Sequence, residues 1–315
     1  MSRILVTGGA GAIGNSLCRV LVAEGHEVTV LDDLSSGHAE FLPPEVRFLE
    51  ASLLDREALD SAFAPAPQYV VHLAALFANQ NSVEHPEADL EANGQGMLRI
   101  LEASSRVGVQ KLVYTSSSCI YGNRELMREE DGAGNLDTPY AVTKYLGELY
   151  SQYWVQQMGL NIAIARLFNC YGPYELPGPY RNVTTNFFAR ALRGEALTIT
   201  GDGSETRDFT FVEDTVEGLR LLLFGPTQPG EVFNIATGQP TPILTLAEEI
   251  NRLTANPAPI EFRSRRSWDH VRSRVGVIDR IRDRLGYEPR YSLADGLKRT
   301  CEWMRKQVGQ NSPEA

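Results

Sequence analysis

A short glycine-rich segment constrains the fold of this chain more than any other feature of its sequence. The segment VTGGAGAIG, residues 6–14, follows the apolar run RILV and leads into residues 12–24, whose apolar positions recur at helical spacing. Gly9, Gly11 and Gly14 fit the pattern GxGxxG, which allows a sharp turn and exposes main-chain N–H groups to an anionic ligand at a helix N-terminus. Between a strand and a helix, this pattern predicts a βαβ unit that binds the pyrophosphate of a dinucleotide.

The same alternation of strand and helix continues through the first half of the chain. Runs rich in β-branched residues predict strands, and the longer stretches between them predict helices. The predicted strands are residues 3–8, 26–32, 46–51, 69–75, 111–117 and 161–169, and the predicted helices are residues 12–24, a helix after Asp55, and residues 83–107 and 138–158. Strands that alternate with helices form parallel sheets covered on both faces. We therefore predict an α/β fold with a doubly wound parallel-sheet Rossmann domain.

The composition of the chain changes after residue 170. Residues 171–182, YGPYELPGPYRN, are rich in proline and glycine, and loop sequences recur at residues 200–208 and 237–242. We expect the Rossmann domain to span residues 1–170. Residues 171–315 are then expected to form mostly a smaller C-terminal substrate-binding lobe, with some segments returning to the Rossmann sheet.

Charge and cysteine content exclude several classes of partner. The formal net charge is −10, so the chain offers no broad basic field for nucleic acid or for an anionic membrane. No apolar run is long enough to cross a bilayer. The four cysteines show no CxxC spacing, which favours reduced thiols in a cytoplasmic protein and predicts no metal site.

The choice of dinucleotide depends on an acidic residue after the glycine turn. Asp32 ends the second predicted strand, 18 residues beyond Gly14. A carboxylate at this position accepts hydrogen bonds from the adenosine ribose hydroxyls and repels a 2′-phosphate. The residues that follow, DLSSGH, contain no arginine or lysine that would bind such a phosphate. NAD is therefore predicted rather than NADP.

A second constellation combines hydroxyl groups, a phenol and an amine. The segment TSSSCIYG, residues 115–122, follows a predicted strand, and Tyr140 and Lys144 lie four residues apart at the start of a predicted helix. A free phenol has a pKa near 10, but an adjacent ammonium and a positively charged nicotinamide both favour the phenolate. Tyr140 is then expected to exchange a proton with a substrate hydroxyl while hydride moves to NAD. Ser117 is expected to bind the same substrate oxygen, so Ser117, Tyr140 and Lys144 are the predicted catalytic residues.

With these motifs the chain resembles the extended short-chain dehydrogenases/reductases of the nucleotide-diphosphate-sugar epimerase/dehydratase family. The resemblance runs through nearly the whole chain. Its most specific segments are TGGAGAIG (7–14), HLAA (72–75), TSSSCIYG (115–122), PYAVTK (139–144), RLFNCYGP (166–173) and GDGSETRDFTFVED (201–214).

The resemblance implies positions for both ligands. For NAD it implies Gly8, Gly11, Ala12, Ile13, Gly14, Asp32, Leu53, Leu73, Ala74, Ala75, Tyr140 and Lys144. For the nucleotide-diphosphate sugar it implies Ser117, Ser118, Cys119, Tyr140, Asn169, Arg207 and Arg266, the last of which resembles the family's diphosphate-binding arginine. It also implies a homodimer formed through the helices predicted at residues 83–107 and 138–158.

The reaction implied by the resemblance is epimerisation at C4. Dehydratases that resemble this chain carry acidic residues one or two places after the catalytic hydroxyl, and decarboxylating relatives tend to carry a glutamate there. Ser118 and Cys119 occupy these places. What remains is reversible oxidation at one carbon through a transient 4-keto sugar, with a UDP-hexose or UDP-N-acetylhexosamine favoured. Ser273 is expected at the position that limits sugar size, where a small residue tolerates an N-acetyl group.

Other readings stay open. GDP-mannose-type 3,5-epimerisation would use Cys119 as an acid or base, but the partner lysine of those enzymes is absent between Lys144 and Lys298. Arg181 lies in the corresponding loop, and a guanidinium holds its protons too tightly to replace that lysine. Epimerisation at C2 and reduction of a 4-keto sugar are further alternatives. A sensor or scaffold that binds NAD without catalysis is the non-enzyme alternative.

Overall fold

The computed structural model of the protein describes residues 1–266 and 269–310. The β-branched runs of this part of the chain form strands, mostly close to the predicted bounds. The strands are β1 (Arg3–Thr7), β2 (Glu27–Asp32), β3 (Arg47–Glu50), β4 (Tyr69–His72), β5 (Lys111–Ser117), β6 (Ile162–Leu167), β7 (Cys170–Tyr171), β8 (Leu197–Thr200), β9 (Thr206–Arg207), β10 (Thr210–Phe211), β11 (Val232–Ile235), β12 (Thr241–Pro242), β13 (Ile260–Arg263) and β14 (Ser273–Arg274).

Helices connect these strands. They are α1 (Ala12–Ala23), α2 (Arg56–Phe63), α3 (Asn79–Glu84), α4 (Pro86–Asp89), α5 (Gly96–Val107), α6 (Pro139–Met158), α7 (Val183–Leu192), α8 (Val212–Phe224), α9 (Ile243–Thr254), α10 (Asp279–Leu285) and α11 (Leu293–Gln310). The predicted helix around residues 83–107 is confirmed from residue 86 onward, because a π-helical segment, Leu90–Gln95, joins α4 to α5, but its start is wrong. Pro86 cannot continue a helix, and His85 before it leaves helical geometry with φ −135° and ψ 63°.

The large sheet follows the strand order of a dinucleotide-binding fold. Its order is β11-β6-β5-β4-β1-β2-β3, and every neighbouring pair is parallel. From β1 the chain adds β2 and β3 on one side of the sheet and then crosses to add β4 on the other side. The crevice between β1 and β4 is where such folds bind their ligand. The predicted α/β, doubly wound parallel-sheet fold is confirmed.

Side chains on successive strand positions point to opposite faces of this sheet, and each face has its own core. Ile4 and Val6 pack on one face with Leu17 of α1 and Leu219 of α8. Leu5 packs on the other face, in a cluster formed with residues of α2 and α5. This burial on both faces explains why the strands read as nearly continuous apolar runs.

Residues after 170 add small sheets and helices beside the carboxyl ends of the large strands. Strand β13 pairs with β8, while β9 lies between β12 and β14. Helix α8 and strand β11 return to the large sheet, where β11 pairs with β6. Across residues 1–266 and 269–310, no helix is both long and apolar enough to span a bilayer.

Candidate active site

A large cavity opens at the carboxyl ends of β1, β4, β5 and β6. Its volume is about 1180 Å³. This volume exceeds the usual range for one small ligand, so the cavity has room for a cofactor and a substrate together. The predicted residues that line it are Gly8, Gly11, Ala12, Ile13, Gly14, Asp32, Leu73, Ala74, Ala75, Ser117, Ser118, Cys119, Tyr140, Lys144, Asn169, Arg207 and Arg266. Leu53 lies in a side pocket of about 70 Å³ that shares Asp32, Ala74 and Ala75 with the main cavity.

The glycine turn leaves a cradle without side chains. Gly8 has a φ of +71°, and a Cβ there would lie 2.5 Å from the backbone nitrogen of Ala74. A Cβ on Gly14 would lie 2.3 Å from the carbonyl oxygen of Gly8. Neither position therefore accepts another residue without moving backbone atoms. The bare turn at the N-terminus of α1 fits the pyrophosphate of NAD.

Asp32 is held in place by the same turn. Its carboxylate accepts hydrogen bonds of 2.9 Å from the backbone N–H groups of Ala10 and Leu34. Burial raises the pKa of Asp32 above its ordinary value, and these two hydrogen bonds oppose that rise. The carboxylate borders both the main cavity and the side pocket, a position suited to the adenosine ribose of NAD.

The hydroxyl cluster lies where β5 ends. Ser117 caps a short 3-10 turn, and its Oγ accepts a 3.2 Å hydrogen bond from the backbone N–H of Cys119. Ser118 is buried, and Cys119 is partly buried with its Sγ 3.5 Å from the Asn79 amide nitrogen that donates to it. No side chain from residue 117 to residue 119 carries a carboxylate.

Lys144 is buried on the first turns of α6. Its Nζ donates a 2.8 Å hydrogen bond to the carbonyl oxygen of Thr115 and lies 5.8 Å from the centre of the Tyr140 ring. Burial lowers the pKa of Lys144 to about 8, while the negative charges of Asp89 and Cys119 act in the opposite direction. The ammonium is therefore close to losing its proton in mildly alkaline solution.

Tyr140 lies one residue after Pro139, which begins α6, and Thr138 caps this helix. Burial raises the pKa of Tyr140 well above its ordinary value of 10, whereas hydrogen bonding to Ser117 and the charge of Arg274 lower it. The expectation that neighbouring positive charge makes the phenol acidic is thus not met by the protein's own groups, because burial outweighs them. A positive charge on a bound nicotinamide would act in the lowering direction.

Two predicted substrate residues lie on the opposite wall. Asn169 follows β6, and its amide donates a 3.2 Å hydrogen bond to the carbonyl oxygen of Asp208. Arg207 on β9 donates to the carbonyl oxygen of Val271 and lies 4.0 Å from the carboxylate of Asp269. Burial lowers the pKa of Arg207 to about 10, so the guanidinium stays charged at neutral pH.

Arg274 is one of several cavity residues that sequence reasoning missed. Ser273 does not itself line the cavity, and its hydroxyl accepts from Thr206 Oγ1 at 3.0 Å, so its role in limiting sugar size stays a prediction. The next residue, Arg274, lines it instead. Successive side chains of a strand point to opposite faces. The sequence alone does not tell which of these two residues faces the cavity, because that depends on the pairing of β14 with β9.

Fold and site together define an extended short-chain dehydrogenase/reductase. The glycine turn, the Ser117 hydroxyl and the pair formed by Tyr140 and Lys144 all face one cavity of a Rossmann sheet. The chain belongs to the NAD dependent epimerase/dehydratase family, whose model matches residues 4–236. NAD as the cofactor and membership of this family are therefore confirmed.

Several characterised proteins are similar to this chain over nearly its whole length. A UDP-glucose 4-epimerase from Mycolicibacterium smegmatis is 36% identical over 96% of this chain and 98% of its own. The structure of an epimerase from Methanothermobacter thermautotrophicus is 44% identical, with a TM-score of 0.96, and covers 98% of this chain and 94% of its own. The structure of UDP-glucose 4-epimerase from Thermotoga maritima with UDP-glucose is 35% identical, with a TM-score of 0.93, and the match covers 97% of this chain and 99% of that one. Decarboxylases and a dehydratase also occur among the relatives, so family membership leaves the reaction open.

Proposed function

We propose that the protein epimerises a UDP-hexose or a UDP-N-acetylhexosamine at C4 through a transient 4-keto sugar. The observation that carries the proposal is the absence of a carboxylate beside the catalytic hydroxyl. Within the described chain, Ser118 and Cys119 line the cavity directly after Ser117. Elimination of water from a 4-keto sugar needs an acid and a base, and neither serine nor a buried hydroxyl cluster supplies them near neutral pH.

The similar proteins support the same reaction and substrate class. Two of the curated relatives carry the name UDP-glucose 4-epimerase, one of them as a putative assignment. A UDP-N-acetylglucosamine 4-epimerase from Methanobrevibacter ruminantium is 28% identical with a TM-score of 0.90. Both hexoses and N-acetylhexosamines therefore belong to the proposed substrate range.

Each end of NAD has residues that would hold it. Gly8, Gly11 and Gly14 would bind the pyrophosphate, and Asp32 would bind the adenosine ribose. Tyr140 and Lys144 would bind the nicotinamide ribose. When bound, NAD supplies an acceptor that removes hydride from C4 and returns it.

The protein's own residues perform the proton transfer. Ser117 donates a hydrogen bond to the C4 oxygen, and Tyr140 accepts the proton of the C4 hydroxyl when the carbon is oxidised. Tyr140 returns this proton when the opposite face of the sugar has been presented. Arg207 and Arg266 hold the diphosphate, so the sugar can turn in the cavity while the nucleotide stays fixed.

Product analysis by NMR in deuterated water tests this proposal. We expect UDP-glucose or UDP-N-acetylglucosamine to give its C4 epimer without deuterium on carbon, because the same hydride returns. Tyr140→Phe should lower kcat by about 100-fold or more. Tyr150→Phe, which removes a phenol from the same helix outside the cavity, should leave kcat unchanged.

Other results would replace the proposal. Deuterium at C3 or C5 would instead favour 3,5-epimerisation with Cys119 as acid or base. Full activity of the Tyr140→Phe variant would remove the phenol from the mechanism. Binding of NAD without any turnover across a panel of UDP-, GDP-, CDP- and dTDP-sugars would favour a sensor or scaffold.

We also propose that the protein is a cytoplasmic homodimer. Helix α6 exposes an apolar stripe formed by Val142, Leu149 and Tyr153, which are 46, 50 and 54% exposed. The spacing of seven and four residues places them on one face. The four cysteines are free thiols, as expected in a reducing compartment. Light scattering of the wild type and of a Leu149→Lys variant should give a dimer and a monomer, and a monomeric wild type would contradict the proposal.

A further inference from the structure

Arg274 carries a buried positive charge for which the described part of the chain provides no counter-ion. The residue is 8% exposed and lines the cavity. Its Nε is buried without a hydrogen-bond partner, and within residues 1–266 and 269–310 no carboxylate lies within 4.0 Å of its guanidinium. An unpaired buried charge is costly, so such a group is retained where a ligand neutralises it.

The charged residues near Arg274 already have other partners. Arg207 is the register partner of Arg274 on the parallel strand β9, and it lies opposite the carboxylate of Asp269. The carboxylate of Asp208, the residue after Arg207, accepts hydrogen bonds from Thr237 and the backbone N–H of Gly238. Glu205, which also lines the cavity, pairs with Arg265 and Arg272. Among the described residues, these carboxylates therefore leave Arg274 unpaired. The excess positive charge belongs to Arg274.

Arg274 lies at the reacting end of the cavity. Strand β14 lies against the chain that directly follows the hydroxyl cluster: the backbone N–H of Arg272 donates to Asn123 Oδ1 at 2.9 Å, and Ser273 Oγ donates to the carbonyl oxygen of Glu125 at 3.3 Å. The positive charge of Arg274 also acts on Tyr140, whose pKa burial raises and this charge lowers. In the proposed function this phenol contacts the oxygen on C4. In the proposed function Arg274 would therefore face a part of the sugar close to C4, while its neighbour Arg207 and Arg266 would hold the diphosphate.

We propose that the sugar of the substrate bears a carboxylate, as in a UDP-hexuronate or a UDP-N-acetylhexosaminuronate, and that Arg274 binds it. This inference rests on the proposed function, which places C4 at Tyr140. The carboxylate of a hexuronate is attached to C5, next to C4, so it lies within reach of a cation beside the phenol. A guanidinium matches a carboxylate through two parallel hydrogen bonds. The 6-hydroxyl of a neutral hexose would leave the buried charge uncompensated.

The hydroxyl cluster agrees with an acidic sugar. Ser118 and Cys119 present no carboxylate to this end of the cavity, so a uronate meets no like charge there. The same two positions that exclude dehydration therefore accept an anionic substrate.

Binding measurements on the NAD-loaded protein test the inference without relying on turnover. Calorimetry on a Tyr140→Phe variant would measure two pairs of ligands: UDP-glucose against UDP-glucuronate, and UDP-N-acetylglucosamine against its uronate. UDP alone serves as the reference. We expect one of the acidic sugars to bind at least about tenfold more tightly than its neutral counterpart. Arg274→Gln should erase this preference and change the affinity for UDP and for neutral sugars by less than about threefold. Arg252→Gln, the same change at an exposed ion pair on α9, should change nothing.

Two outcomes would overturn the inference. Equal weakening of UDP, neutral and acidic sugars by Arg274→Gln would assign Arg274 to the diphosphate. Tighter binding of both neutral sugars when Arg274 is present would assign Arg274 to an uncharged sugar, and this comparison needs no folded Arg274 variant. Product analysis by NMR reports separately on C4 inversion. Acidic sugars could therefore bind preferentially without C4 inversion, which would refute only the proposed function. C4 inversion could equally occur without a preference for acidic sugars, which would refute only this inference.

Discussion

Replacement of Gly8 by alanine separates the conformational role of the glycine turn from its role in binding. Gly8 and Gly108 both have a positive φ of almost the same value, +71° and +70°. An added Cβ at Gly108 meets nothing within 4 Å, whereas at Gly8 it meets the backbone of Ala74 at 2.5 Å and that of Leu73 at 2.8 Å. The two alanine variants therefore share a conformational cost and differ in the steric one.

The expected magnitudes follow from this difference. Left-handed geometry costs an alanine about 1–2 kcal/mol, which both variants should lose from the free energy of unfolding. Gly8→Ala must also push the chain after β4 away from the end of β1, and overpacking of this kind costs about 1–3 kcal/mol more. Because the displaced backbone forms the crevice for the pyrophosphate, we expect the Kd for NAD to rise at least about tenfold in this variant only.

Urea denaturation and calorimetric titration with NAD measure the two effects. Gly108→Ala should lose about 1–2 kcal/mol of stability and bind NAD like the wild type. Gly8→Ala should lose more stability and most of its NAD affinity. Equal stability of the two variants together with unchanged NAD binding would show that the crevice absorbs a methyl group, and would refute the steric argument.

Three further predictions concern single side chains of the core and of the cavity. Burial lowers the pKa of His72 to about 3, well below its value in the unfolded chain. The free energy of unfolding should therefore fall as the pH drops below 6.5, by roughly 3 kcal/mol at pH 4. In urea denaturation the His72→Gln variant should lose less stability over this pH range than the wild type, and equal losses would contradict the prediction. Glu148→Ala should cost about 3–5 kcal/mol, because it leaves the buried charge of Arg166 without its buried partner. Glu249→Ala, which breaks a partly exposed ion pair with Arg252, should cost under about 1 kcal/mol, and similar costs for the two variants would argue against this reasoning. Cys119→Ala should keep C4 epimerisation within about threefold, and a loss above 100-fold would favour catalysis by the thiol.

The parallel sheet could be predicted because its strands are long and apolar. Strand β5 spans Lys111–Ser117, as expected, and the other predicted strands of the sheet differ mainly at their ends. The carboxyl ends of neighbouring parallel strands meet at one edge, so the glycine turn and the hydroxyl cluster had to lie near each other. The break between α3 and α4 could also be predicted, because Pro86 lies at the start of α4.

Arg274 could not be predicted by the same reasoning. Strand β14 is two residues long, so no periodicity tells which of Ser273 and Arg274 faces the cavity. The answer depends on pairing with β9, which lies 67 residues earlier in the chain and is itself two residues long. Whether Arg274 needs an anionic ligand also depends on which carboxylates lie near it, and the carboxylate of Asp269 pairs with Arg207 rather than with Arg274. Chemistry at the ends of long strands can therefore be predicted from sequence, whereas charge compensation among short loop strands has to be seen in the folded protein.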